Sequence, residues 1–247
     1  MSNRRVLVTG SSRGIGRSIA IRLAAEGWNV ALHYVSHSAD ASAVEKTIGS
    51  RASGCYEADL AQPGAAKDLF HRALKDGPLD AVVNNAGIYM PLDFVGAGDA
   101  AFEANWRRTF AVNFDAPVEL IRAATKYFAE KGGGRILNVA SRVGFKGEGG
   151  AALYAASKAA LINLTRSLAV ELAPKNIQLF GIAPGWVETA MARDGMDNRL
   201  EEILSTIPAG RMASPEDCAA ASAYLLSDDS KYLSGVIIDI NGASYFH

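Results

Sequence analysis

Short runs of β-branched and apolar residues recur along the whole chain, and a longer stretch with helical periodicity follows nearly every one. Parallel strands cannot be joined by a tight hairpin; each pair needs a crossover, and a helix supplies it. Repeated strand–helix units therefore confine the chain to an α/β fold, a doubly wound parallel sheet with helices on both faces. Seven strands are expected, at Arg5 to Thr9, Asn29 to Tyr34, Gly54 to Ala58, Ala81 to Asn84, Arg135 to Ala140, Asn176 to Ile182 and Val236 to Asp239. Helices are expected at Ile15 to Glu26, Ala39 to Gly49, Pro63 to Lys75, Ala100 to Ala129, Leu153 to Leu172 and Pro215 to Leu226. The last begins with a Ser214 cap and a proline at its first position, where no intrahelical bond is lost. GFKGEGG at 144–150 and the segment Trp186 to Met212 read as loops. The second is a substrate lid or a plain surface excursion, and its Trp186, Met191 and Met196 either pack or meet substrate. With 247 residues, 49% of them hydrophobic, and no linker, one domain spanning 1–247 is expected.

The first strand leads into Thr9-Gly10-Ser11-Ser12-Arg13-Gly14-Ile15-Gly16, which opens the first helix. Glycines let backbone approach a phosphate closely, and the amides and dipole of a helix start favour that negative charge. Strand, glycine turn and helix in this order make a Rossmann-type nucleotide-binding start. Where NAD is used, the second strand commonly ends on an acidic residue that binds the ribose 2′-hydroxyl. No Asp or Glu occurs from Trp28 to Ala39; His33, Tyr34, Ser36, His37 and Ser38 stand there, with Arg13 in reach from the loop. Hydroxyls and a guanidinium suit a 2′-phosphate, so NADP(H) is expected in preference to NAD(H).

Tyr154 and Lys158 lie one helical turn apart in YAASK, downstream of Ser141. Residues four apart on a helix share a face, which puts the ammonium beside the phenol. A phenol titrates near pH ~10, and an adjacent cation is expected to favour phenolate and bring the group toward acid–base use at neutral pH.

A formal net charge of -1 with interspersed signs gives no electrostatic footprint for nucleic acid or an anionic membrane. No apolar run approaches the ~18 residues of a membrane span, and the start MSNRRVLVTG has no long apolar core of a signal peptide. Cys55 and Cys218 stand far apart, in no CxxC spacing. A soluble cytoplasmic protein that holds no metal and acts on a small molecule is expected.

In their order, these motifs are similar to those of the short-chain dehydrogenase/reductase family. They are the Thr9 to Gly16 turn, Asn84-Asn85-Ala86-Gly87, Asn113 in AVNFDAP, Ser141 in NVASRVG, Tyr154 to Lys158, and Pro184-Gly185. Within that family the chain most resembles 3-oxoacyl-[acyl-carrier-protein] reductases, through SSRGIGR, the GRI run before Ser141, PGWVET, and YLSG with the terminal NG. The resemblance implies NADP(H)-dependent hydride transfer between nicotinamide and a carbonyl or secondary alcohol. A 3-oxoacyl thioester of fatty acid biosynthesis is the first substrate class it implies, with a free ketone, sugar or polyol as the alternative. It implies that Tyr154 gives the proton, Ser141 hydrogen-bonds the substrate oxygen, Lys158 binds the nicotinamide ribose, and Asn113 holds a water linking Lys158 to solvent. Cofactor contacts carried over with it are Gly10, Ser12, Arg13, Gly14, Ile15 and Gly16; Tyr34 and Ser36; Asp59 and Leu60; Asn85, Ala86 and Gly87; Tyr154 and Lys158; and Pro184, Gly185, Val187 and Thr189. Lys131 and Lys175 fall near places where relatives present basic residues at the pocket mouth to an acyl carrier protein. Phe180 stands where relatives often carry Asn, and Ala243 replaces the second glycine of a terminal Asn-Gly-Gly. A homotetramer built on helices 100–129 and 153–172 is also implied, with the terminal SYFH packed on a neighbouring subunit or frayed. The alternative of another class is a binding protein that senses NADP(H) on the same fold without turnover.

Overall fold

A computed structural model describes residues 4–193 and 199–247, so Met196 lies outside the described residues. Seven strands form one parallel sheet: β1 (Arg5–Val8), β2 (Asn29–Tyr34), β3 (Ala52–Glu57), β4 (Ala81–Asn84), β5 (Gly134–Val139), β6 (Ile177–Pro184) and β7 (Ile237–Ile240). Between them run α1 (Gly14–Ala25), α2 (Ser38–Ile48), α3 (Ala65–Lys75), α4 (Asp99–Phe110), α5 (Ala116–Lys131), α6 (Ala152–Leu172), α7 (Ala190–Arg193), α8 (Leu200–Ser205) and α9 (Pro215–Leu225). The sheet order is β3-β2-β1-β4-β5-β6-β7. It reverses between β1 and β4, and in such sheets the crevice for a ligand opens beyond the strand C-termini at that reversal.

Alternation along each strand divides the core into two layers. Val6 and Val8 of β1, with Phe180 and Ile182 of β6, pack toward α1, α2 and α9. Leu7, Leu179 and Ile177 point the other way, toward α3, α5 and α6. Both faces are covered, which is why the strands read as continuous apolar runs. Phe180 is fully buried in the first layer. Ser214 accepts the Asp217 amide at 3.2 Å and the Asp217 carboxylate accepts the Ser214 amide at 2.8 Å, a reciprocal cap that starts α9.

The expected single helix from Ala100 to Ala129 is interrupted: α4 passes through one π turn, Ala111–Asp115, before α5 begins. Apolar spacing does not reveal such a turn, because α4 buries chiefly polar Asn105 and Thr109 and carries little core signal of its own. β6 reaches Pro184, two residues beyond expectation, and cannot start at Asn176, whose φ of 55° is left-handed.

Lys131 and Lys175 do not lie at the pocket mouth. Lys131 donates to the Leu79 carbonyl at 2.8 Å and pairs with Asp80, just before β4. Lys175 precedes β6. Both are therefore at the N-terminal edge of the sheet, opposite the crevice. The terminal SYFH packs on its own chain: the His247 ring stacks on Phe145 at 3.8 Å, its Nδ1 lies 3.0 Å from Asp239, and Asn241 Nδ2 donates to the Tyr245 carbonyl at 2.9 Å. Among the described residues no helix is long and apolar enough to cross a membrane.

Ala243 holds a left-handed φ of 66°, a conformation that costs a residue with a β-carbon roughly 1–2 kcal/mol. Ala243→Gly is expected to raise stability by up to about 1 kcal/mol after the greater freedom of glycine in the unfolded chain is set against it. Thermal unfolding checks this, and a lowered midpoint would contradict it.

Candidate active site

The turn after β1 is held by side chains from the strand beside it. Thr9 Oγ1 accepts the amides of Asn85 and Ala86 at 2.9 and 3.0 Å, and Asn85 Nδ2 donates to the carbonyls of Thr9 and Gly10 at 2.8 and 3.1 Å. Gly10 has φ +61°, and a methyl at Gly16 would overlap both the Gly10 carbonyl and the Asn85 amide. Arg13, at the N-cap of α1, gives no side-chain cap to the helix start. The backbone amides there are thus left for an anion, and the glycine cradle fits the pyrophosphate of a dinucleotide.

His33 ties this turn to two more strands. Its Nδ1 accepts the Gly10 amide at 2.9 Å, and its Nε2 therefore carries the proton, 2.9 Å from the Ala58 carbonyl. The ring is fully buried, and burial lowers its pKa to about 4.

A cleft of about 820 Å³ runs from Ser36, Asp59 and Leu60 past the glycine turn to Ser141 and Tyr154. Every expected site residue lines it except Asn113, which is fully buried behind Gly87. A β-carbon on Gly87 would stand 3.3 Å from Asn113 Oδ1 and 3.5 Å from Lys158 Nζ, so these groups converge. Asn113 sits in the π turn, and its amide both accepts from and donates to the Ile88 backbone at 2.9 Å while also donating to Ser157 Oγ at 3.3 Å.

Ser141 follows β5 and stands close to Tyr154, which enters from α6; both line the cleft. The Tyr89 ring meets the Tyr154 ring edge to face at 5.2 Å. Although part of Tyr154 is reachable from the cleft, protein surrounds its phenol, and burial pushes it up to about 12, with the nearby Ser141 hydroxyl acting in the opposite sense. This reverses the expected effect of Lys158. Its Nζ lies 5.7 Å from the phenol ring centre and donates to the Val139 carbonyl at 2.8 Å. Burial pushes the ammonium itself down to about 8. For both groups burial is the largest cause of the shift.

Asp59 accepts from the Ala61 amide at 3.0 Å and from Gln62 Nε2 at 3.1 Å, and these bonds hold its carboxyl below the usual range. It is at once a turn former and part of the cleft wall. Glu57 stands opposite Tyr34 through the β2–β3 register and meets its hydroxyl at 3.5 Å, outside the cleft wall. Sequence reading missed the roles of His33, Arg142 and Glu148, which no local spacing signals. Among the described residues no cluster of three or more His, Cys, Asp or Glu is placed to hold a metal ion.

The family model described as Enoyl-(Acyl carrier protein) reductase matches residues 10–243. The chain is similar to 3-oxoacyl-[acyl-carrier-protein] reductase FabG of Staphylococcus aureus (strain Mu50), 37% identical over 242 residues that cover 97% of each chain. To the protein of the same name from Escherichia coli (strain K12) it is 35% identical over 240 residues, 97% of this chain and 96% of that one. Among solved structures it is similar to a proposed NAD(P) dependent gluconate 5-dehydrogenase from Beutenbergia cavernae with bound NADP, at TM-score 0.89 and 33% identity over 99% of this chain and 97% of that one. A blue fluorescent protein from a metagenomic library, in complex with NADPH, matches at TM-score 0.89 and 31% identity over 98% of both chains.

The unfolded chain protonates His33 near 6.5 and the folded chain only near 4, so between these values the unfolded state binds more protons. Stability present at neutral pH is therefore lost as pH falls through that window. Lowering the pH from 7.5 to 5 is expected to remove about 2 kcal/mol through this group. Denaturant unfolding at the two pH values checks it, with His33→Asn expected to shrink the difference.

Proposed function

The chain belongs to the short-chain dehydrogenase/reductase family and is an oxidoreductase of CH–OH and C=O groups; from this premise we propose that it reduces a carbonyl with NADP(H), using Tyr154 as the proton donor. The meeting of Tyr154, Ser141 and Lys158 at one end of the nucleotide-sized cleft carries the reading. A nicotinamide dinucleotide, when bound, supplies the hydride. Ser141 and Tyr154 together hold the substrate oxygen, and the donors aimed there stabilise the charge that develops on it. A phenol held near 12 stays protonated at neutral pH and gives its proton as that charge forms. Lys158, near 8, retains its charge at neutral pH and serves the ribose hydroxyls. Asn113, pinned to Ile88 beside Lys158, positions the path by which the proton is replaced.

Arg13, Ser36 and His37 at one end of the cleft support NADP(H) over NAD(H). The names of the curated relatives support a 3-oxoacyl thioester of fatty acid biosynthesis as substrate. The placement of Lys131 and Lys175 away from the crevice favours a second reading, a free polar carbonyl that needs no acyl carrier protein. Trp186 packs with Ile203, Ile207 and Met212 in a small separate core, and the Val187–Ala213 bridge joins the ends of that segment, which suits a lid over the substrate. Exposed Trp106 of α4 and Val170 of α6 support subunit contacts on these helices, in a homotetramer. Free Cys55 and Cys218 suit the reducing cytoplasm.

Tyr154→Phe is expected to lower carbonyl-dependent NADPH oxidation by at least about 100-fold while leaving NADPH binding within a few-fold. Loss of absorbance at the reduced nicotinamide band, beside a fluorescence titration, separates the two; undiminished turnover would refute the role. Arg13→Ala is expected to weaken NADPH binding about tenfold and NADH binding little, and an equal loss for both nucleotides would contradict the 2′-phosphate contact.

A further inference from the structure

Arg142 follows Ser141 directly, and its side chain is 6% exposed. A guanidinium removed from water to this degree must be paired and hydrogen-bonded. Its Nη2 donates to Glu148 Oε2 at 2.7 Å and its Nη1 to Ser244 Oγ at 3.3 Å, while Nε has no acceptor among the described residues. Glu148 is flanked by Gly147, Gly149 and Gly150, around which an added β-carbon would meet nothing. The loop backbone is tied down on either side, by Lys146 N to the Arg142 carbonyl at 3.0 Å and Leu92 N to the Gly150 carbonyl at 3.1 Å, and the Glu148 carboxylate itself is set by its bond to Arg142.

The Glu148 side chain is 30% exposed and lines the cleft. Oε2 is committed to Arg142, whereas Oε1 takes no hydrogen bond from any described residue. Burial raises the Tyr89 and Tyr154 phenols, and the Glu148 charge adds to it at both, with Arg199 opposing it at Tyr89; the two rings are themselves in contact. An open anionic acceptor thus stands on the wall next to the proton donor. An acyl chain would bring only methylenes to that wall and would strip water from the carboxylate without replacing its hydrogen bond. A hydroxyl on the substrate replaces it.

Resting on the carbonyl-reductase reading above, we infer that Glu148, positioned by Arg142, determines specificity by accepting a hydrogen bond from a hydroxyl adjacent to the reacting carbonyl. The enzyme then selects hydroxylated ketones over plain ketones and acyl thioesters. An α-hydroxyketone takes hydride from NADPH at the carbonyl carbon and a proton at the oxygen, giving a vicinal diol and NADP+.

The test compares kcat/KM with NADPH for hydroxyacetone, acetone and the acetoacetyl thioester of N-acetylcysteamine. It uses the wild type, Glu148→Ala, and the double variant Arg142→Leu/Glu148→Ala, which leaves no buried cation unpaired. The hydroxyacetone-to-acetone ratio is independent of the fraction of active protein, so partial misfolding does not disturb it. The wild type is expected to favour hydroxyacetone over acetone by at least about tenfold, and the ratio to fall close to unity in both variants. A wild-type ratio near unity, a preference for the thioester, or a ratio that survives both variants overturns the inference. Tyr154→Phe, run in parallel, tells two failures apart. Turnover that depends on Tyr154 without a hydroxyl preference sinks only the role of Glu148, whereas no Tyr154-dependent turnover with any of the three sinks the reductase reading as well.

Discussion

The close approach of α1 to the end of β1 is the constraint on which the site depends. Gly16 meets the Gly10 carbonyl with no room for a methyl, and Asn85 fills the remaining side of the turn with two hydrogen bonds. His33 closes it from below by taking the Gly10 amide. Three strands and a helix are thereby fixed to one turn of backbone, so its amides are organised before any nucleotide arrives. Such preorganisation avoids ordering a loop on binding.

At the other end of the cleft, desolvation rather than charge sets the chemistry. Tyr154 and Lys158 share a helix face, but both are withdrawn from water and each is biased toward its neutral form. The fold compensates with fixed dipoles: the Val139 carbonyl receives the ammonium, and Asn113 is held by the Ile88 backbone. A further buried chain of side chains, Asn84 to Asn138 to Thr165, joins β4, β5 and α6 with 2.8 Å hydrogen bonds. It links the strand that precedes Ser141 to the helix that carries Tyr154, and so helps to set the distance between their elements.

Much of this was legible in the sequence because it depends on local signals. Strand–helix alternation gives the sheet, and glycine positions give the turn. The spacing of Tyr154 and Lys158 survives as real proximity, since a helix converts spacing into direction. What was not legible depends on tertiary placement. Lys131 and Lys175 look alike in sequence whichever end of the sheet they occupy; only the strand direction puts them at the wrong edge. The shift of the Tyr154 phenol depends on burial beside Tyr89, which comes from a distant segment. Arg142 and Glu148 meet across an irregular loop whose geometry no periodicity encodes, and Glu57 reaches Tyr34 only through strand register.

The π turn at Ala111–Asp115 has a consequence for how the segment can change. Each residue of a regular helix advances the side-chain direction by about 100°. Deleting one residue there would restore an ordinary helical ladder and improve local backbone bonding, yet α5 must keep Leu120, Ala124 and Phe128 against the sheet. The rotation would therefore fall on the preceding half and swing Asn113 off Ile88. Within this stretch a length change that favours the helix costs either the packing of the flanking helices or the placement of Asn113, so the irregular turn ties the two together.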